Sequence, residues 1–298
     1  MQQLTAALNI DQIDQDAVLG LAKQIDENST DSDEPRYAAA RELLVGLGVD
    51  KVRLKKARPT AQTVSRFILY LSEYLDISKI IKLINEFPQI VCYSEENLEG
   101  KRKYLELDKK KFIELILKFP PIVSHSEENL EERRKYLELD KKRFIELILK
   151  CPPIVGYGEE NLEIRRKYLE LDKKKFIELI LKFPPIVGYS EENLERKFSY
   201  YERHFGESRM DIINRVINGQ VFLLSCSFYT RILLRVKYAS CFMNERVETL
   251  DDVIRLINPK EDKFLKMLRG ADLSEYAELR GMSEVLKNTN GPVKSKQR

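Results

Sequence analysis

Residues 94–125 read SEENLEGKRKYLELDKKKFIELILKFPPIVSH, and residues 126–157 read SEENLEERRKYLELDKKRFIELILKCPPIVGY. The two stretches differ at six of 32 positions, and residues 158–189 repeat the second copy with four differences. Three successive copies at a fixed period make this a repeat protein, in which each unit buries its apolar face against its neighbours. The period extends outward in weaker form. Upstream, Asp76–Pro88 aligns residue for residue with Asp108–Pro120. Downstream, Ser190–Glu195 opens a fourth unit that diverges and gains residues around Phe205–Ser208, and Ser227–Pro259 forms a fifth, more divergent one.

Each unit reads as two helices and a tight connector. Ser94, Ser126 and Ser190 are N-caps, followed by paired glutamates where the helix dipole favours anions. The first helix is expected to run to about Glu106, with Leu98 and Leu105 inward. Asp108 is a second N-cap, opening a helix through Phe119 whose stripe is Phe112, Leu115, Ile116 and Phe119. Ile113 and Leu117 widen the stripe to about half the circumference, as stacking on two sides requires. Pro120–Pro121 stops the helix, because proline lacks a donor and restricts the residue before it. Ile122 and Val123 then form a short apolar plug. No strand pattern appears, so the expected fold is all-α: a helical-repeat solenoid of 32-residue helix–helix–turn units. Its hand is not legible.

The expected organisation is an N-terminal helical cap over 1–58, the repeat array over 59–259, and C-terminal capping helices with a disordered basic tail over 260–298. Candidate cap helices are Ile13–Glu27 and Arg36–Leu47, joined by the polar stretch 28–35, and later Lys263–Leu268 and Ser274–Leu286; the tail begins at Lys287. A length of 298 residues, 43% hydrophobic and 33% charged, supports a sizeable core and excludes a disordered chain. The most apolar stretch, Val221–Phe242, contains Arg231, Arg235 and Lys237, so no membrane span is expected. The first 20 residues carry three aspartates and no Lys or Arg, unlike a secretory or transit leader. Four scattered cysteines without a C-x-x-C pair fit free thiols in a reducing compartment.

Catalytic and metal chemistry find no foothold. His125 and His204 have no second ligand at metal spacing, and no phosphate loop or nucleophile elbow occurs. No cofactor is expected. The informative pattern is basic. The net charge is only +3, but residues 1–50 hold ten acids against three bases, which leaves the remainder at +10. Every full unit ends its first helix with a trio: Lys101-Arg102-Lys103, Arg133-Arg134-Lys135 and Arg165-Arg166-Lys167, with Lys197 continuing the row. A second trio comes after the Asp N-cap, beginning Lys109-Lys110, Lys141-Lys142 and Lys173-Lys174. Both flank the same inter-helix turn, while the glutamates crowd the opposite end. Stacking should align these bases into an edge that tracks a phosphate backbone. Arg102, Arg134 and Arg166 border the apolar stripe and are the expected ordered phosphate contacts, since Arg binds phosphate bidentately. The bland alternative is a solvated face supported by i, i+4 pairs. One position varies among the copies, Gly100, Glu132, Ile164 and Arg196; drift explains it better than a one-base-per-unit code, because Gly and Ile are poor partners for base edges.

The unit resembles the mitochondrial transcription termination factor (mTERF) repeat, with its two helices, a Leu-rich second helix running into Pro, and a short third turn. Tyr200–Ser208 is similar to that family's inter-helix link, and Ser227–Tyr238 to its helix start with regularly placed arginines, here Arg231 and Arg235. The resemblance covers roughly residues 62–259. It implies a superhelix that wraps duplex DNA, or RNA, in gene expression, with Arg231 and Arg235 added to the binding edge. The expectation is a non-enzymatic monomer whose partner is nucleic acid. The rival is a protein-interaction scaffold, such as a bacterial factor acting in a host cell.

Overall fold

The computed structural model describes residues 15–27, 33–242, 246–267, 276–278 and 280–281. The chain divides into two compact bodies, 1–158 and 159–298. All secondary structure among the described residues is helical.

In the N-terminal body, helices Gln15–Glu27 and Asp33–Gly46 and a 3-10 turn at Arg53–Lys56 precede a half-repeat of Ala61–Ser72, Ile77–Glu86 and the 3-10 turn Pro88–Cys92. Two full units come next: Glu95–Tyr104, Lys109–Lys118 and Pro120–Ser124, then Glu127–Tyr136, Lys141–Lys150 and Pro152–Gly156. The C-terminal body opens with the third unit, Glu159–Tyr168, Lys173–Lys182 and Pro184–Gly188. The fourth is Glu191–Phe205, Arg209–Ile217 and the short helix Phe222–Ser225. The fifth enters through a π-helical turn, Phe228–Leu233, continues as Leu234–Phe242 and Leu250–Ile257, and leads into Glu261–Met267.

The N-caps act as their residue types require. Ser94, Ser126 and Ser190 accept from the backbone N–H three residues on at 3.3, 3.1 and 3.2 Å. Asp108, Asp140 and Asp172 do the same at 2.8, 2.9 and 2.8 Å. Each second helix buries its Phe, Ile, Leu and Ile, as at Phe112, Ile113, Leu115 and Ile116. Leu117, expected in the stripe, is 37% exposed, so the apolar arc is narrower on that side. Ile122 and Val123 are buried in their 3-10 turn, the plug expected after the prolines.

The first helix stops at Tyr104, two residues short of expectation. Leu107 N–H donates to Arg102 C=O and Glu106 N–H to Lys103 C=O, the paired bonds of a Schellman closure. That closure needs a left-handed residue, and the chain supplies a glutamate: Glu106, Glu138 and Glu170 have φ of 52, 53 and 56°. Without glycine, this conformation costs roughly 1–2 kcal/mol.

The Gln15–Glu27 helix packs along Ala61–Ser72, and the Asp26 carboxylate accepts from Ala61 and Gln62 N–H, both at 3.0 Å. The helix expected from Arg36 begins at Asp33. Residues 13–14, and 28–32 of the expected loop, lie outside the described residues. At the other end, the helix expected over Lys263–Leu268 is Glu261–Met267. Of the expected Ser274–Leu286 helix, 276–278 and 280–281 are described and helical, with Tyr276 against Phe264 and Tyr238. The tail from Lys287 lies outside the described residues.

Candidate nucleic-acid interface

The basic trios divide by position. The first base turns inward. Lys101 is 9% exposed and Lys197 only 2%. Burial lowers both pKa values, that of Lys197 to about 8. Lys197 donates to Leu224 C=O and lies over the Tyr189 ring at 5.1 Å. Arg165, the equivalent in the third unit, donates to Tyr189 C=O at 2.6 Å. Arg133 is mostly covered and donates to Asn129 C=O at 3.3 Å. Lys101 and Lys197 therefore depart from the expected phosphate edge, because their stems and ammonium groups are packed inside the repeat.

The second base is a clamp. Arg102 directs Nε and Nη2 at Glu99, at 2.8–3.0 Å, and Nη1 at Leu107 C=O, at 2.7 Å. Arg134 holds Glu131 and Leu139 C=O in the same way. Arg166 holds Glu163 and Leu171 C=O. Expected as ordered phosphate contacts, these three arginines instead have their guanidinium forks filled by protein acceptors. The hydrogen bond from Arg134 draws the Glu131 carboxyl down to about 2, and that from Arg102 lowers Glu99.

Two of these carboxylates, Glu99 and Glu131, and Glu195 at the equivalent place in the fourth unit, receive a tyrosine from the preceding unit. Tyr70 Oη donates to Glu99 at 2.7 Å, Tyr104 Oη to Glu131 at 3.1 Å, and Tyr168 Oη to Glu195 at 3.2 Å. Burial, with hydrogen bonding to the carboxylate, pushes Tyr104 up to about 12. Over these rings sits the first base of the second trio: Lys109 over Tyr70 at 4.4 Å and Lys141 over Tyr104 at 5.0 Å. Lys109 also pairs with Glu73, and Lys141 with Glu106 at 3.0 Å. In the fourth unit Phe198 replaces the clamp arginine, and Arg209 takes over, bonding Glu195 at 2.6 Å while lying over Tyr168 at 5.1 Å. The residue types alone did not disclose this network, although tyrosine and glutamate recur in register with the basic trios.

Arg231 and Arg235, placed at the edge by resemblance, are both engaged by the protein, Arg231 half-buried and Arg235 fully so. Arg231 donates to Asn258 and Pro259 C=O. Arg235 is 1% exposed, bonds Leu256 and Pro259 C=O and Glu261, and stacks on Phe264 at 4.2 Å. It fastens the Glu261–Met267 helix to the fifth unit, a role that requires a fully desolvated cation to be well supplied with acceptors.

Among the described residues, six lysines flanking the inter-helix turns remain exposed and make no side-chain hydrogen bond or salt bridge: Lys103, Lys110, Lys135, Lys142, Lys167 and Lys174. Each unit contributes one from the end of its first helix and one from the start of its second, on either side of the left-handed glutamate. Lys173 is exposed beside them. The variable position shows no common environment. Glu132 is exposed, Ile164 is 53% exposed, and Arg196 pairs with Glu192. His125 stacks on Phe119, and among the described residues no group of His, Cys, Asp or Glu could hold a metal.

No curated protein matches the chain. The mTERF family profile matches it over residues 36–170 and 105–237, overlapping regions that span the half-repeat and units one to four. With its helix–helix–turn units and more than half its length covered, the chain belongs to the mTERF family.

Proposed function

We propose that the chain binds nucleic acid without catalysis, through the lysine pairs Lys103/Lys110, Lys135/Lys142 and Lys167/Lys174, and so influences transcription or RNA handling. The supporting observation is selective. The fold buries or clamps the neighbouring bases of the first trio and leaves these two lysines in water at the same place in each unit. Family membership supports a helical-repeat, nucleic-acid-associated role. The surface left over is made of lysines, which act as point charges without the planar fork that reads guanine edges. Binding is therefore expected to depend on phosphate charge and helix shape, with little preference for base sequence.

The test is binding of duplex DNA, duplex RNA and single strands at several salt concentrations. The expected result is a steep loss of affinity with salt, and a slope that falls by about 0.7–0.9 for each lysine contact removed. Replacing all six lysines with alanine should abolish most of the binding. A variant that binds as tightly as the wild type would refute the reading. Salt-insensitive capture of a protein would favour the scaffold instead.

A further inference from the structure

We infer that Arg102, Arg134 and Arg166 are positioning residues: they hold the strained inter-helix turn in shape and thereby set where the flanking lysines point. The lysine role rests on the function proposed above; the turn-holding role does not. Three observations converge. The turn closes on a non-glycine residue in the left-handed region in all three units. In each case the arginine three residues before the helix C-cap reaches over that residue to the carbonyl two beyond the cap, Leu107, Leu139 or Leu171. The remaining guanidinium nitrogens are anchored to a glutamate one turn earlier, so the side chain is fixed at both ends. Within the N-terminal body that glutamate is itself tied to the tyrosine of the preceding unit. The clamp therefore couples the shape of the turn to the register of the stack.

Lys103 and Lys110 lie three residues before and four after Glu106, so the turn that contains Glu106 sets their directions relative to each other. A glycine there adopts the left-handed conformation without penalty, so it should make the clamp dispensable. A direct phosphate contact by the arginine would show no such compensation.

The experiment uses the full chain with Arg102→Ala/Arg134→Ala, the same pair with Glu106→Gly/Glu138→Gly added, the glycine pair alone, and Arg102→Lys/Arg134→Lys. The readouts are thermal midpoint and affinity for a duplex oligonucleotide. The arginine-to-alanine pair is expected to lower the midpoint by several degrees and weaken binding several-fold. The added glycines should restore most of both, and by more than the glycine pair alone adds to the wild type, although the arginines are still absent. The lysine pair keeps the charge but loses the fork, and is expected to behave like the alanine pair. Recovery of the midpoint without recovery of binding would overturn the inference in favour of direct phosphate contact. A midpoint gain no larger than the glycine pair gives in the wild type would overturn it outright. Absence of binding by the wild type would sink the nucleic-acid function alone, and the midpoints would still judge the clamp.

Discussion

Glu106, Glu138 and Glu170 occupy a conformation that suits glycine, and they do so in the turn between the two exposed lysines of each unit. Glu106→Gly alone is expected to stabilise the protein by about 1 kcal/mol, because relief of the left-handed penalty outweighs glycine's entropy and an exposed pair with Lys141. A denaturant midpoint that falls would contradict this. The clamp carboxylates make a second prediction. Glu131 ionises near 2 in the fold against an ordinary value of 4.5, so its contribution is present above about 4.5 and disappears as pH falls toward 2. Tyr104 has the opposite sign: raised to about 12, it favours the fold up to about 10 and loses that effect between 10 and 12. Lys197 is a base pushed down to about 8 by burial, so its contribution grows as pH rises from about 8 to 10.5. Lys197→Met should flatten stability between pH 8 and 10; an unchanged slope in equilibrium unfolding would place that titration elsewhere.

At the scale of the element, the second helix of each unit is short and depends on its ends. Three cationic residues come directly after its Asp cap, so the dipole gains nothing from them, and the Asp side chain is the principal favourable term at the start. Asp140→Ala is expected to cost about 1 kcal/mol, while Asp140→Asn retains most of the cap. Phe144, 1% exposed inside the same helix, should cost about 3–5 kcal/mol when cut to alanine. Urea titration of the three variants checks the order. If the Phe144 variant proved the mildest, the packing described for this helix would be wrong.

Across the whole molecule, near-identity between units has a consequence that packing makes testable. Unit two carries Glu131, Arg134 and Lys141 where unit one carries Glu99, Arg102 and Lys109, and the upstream partners Tyr70 and Glu73 contact only the latter set. A chain lacking residues 94–125 would bring Tyr70 to Glu131 in the same geometry. It is expected to remain helical and to unfold cooperatively, as checked by circular dichroism, because each unit needs only a suitable neighbour. Loss of cooperative unfolding would mean that contacts beyond nearest neighbours hold the body together.

The repeat, the helix pairs, the caps and the proline stops were legible in the residues because they are local: periodicity, capping chemistry and backbone sterics act over a few positions. That bases flank each inter-helix turn was legible for the same reason. Which of those bases face water was not. Lys101, Arg102 and Lys103 are adjacent in sequence and chemically alike, yet one is buried, one is clamped and one is exposed. Arg235 looked like its surface relatives and is sealed inside. These outcomes depend on which carbonyl or carboxylate of another segment arrives beside each nitrogen, and that proximity exists only once the helices have packed. The sequence by itself determined how much charge each unit carries and roughly where; the tertiary structure decided which of those charges are neutralised within the protein and which stay in water.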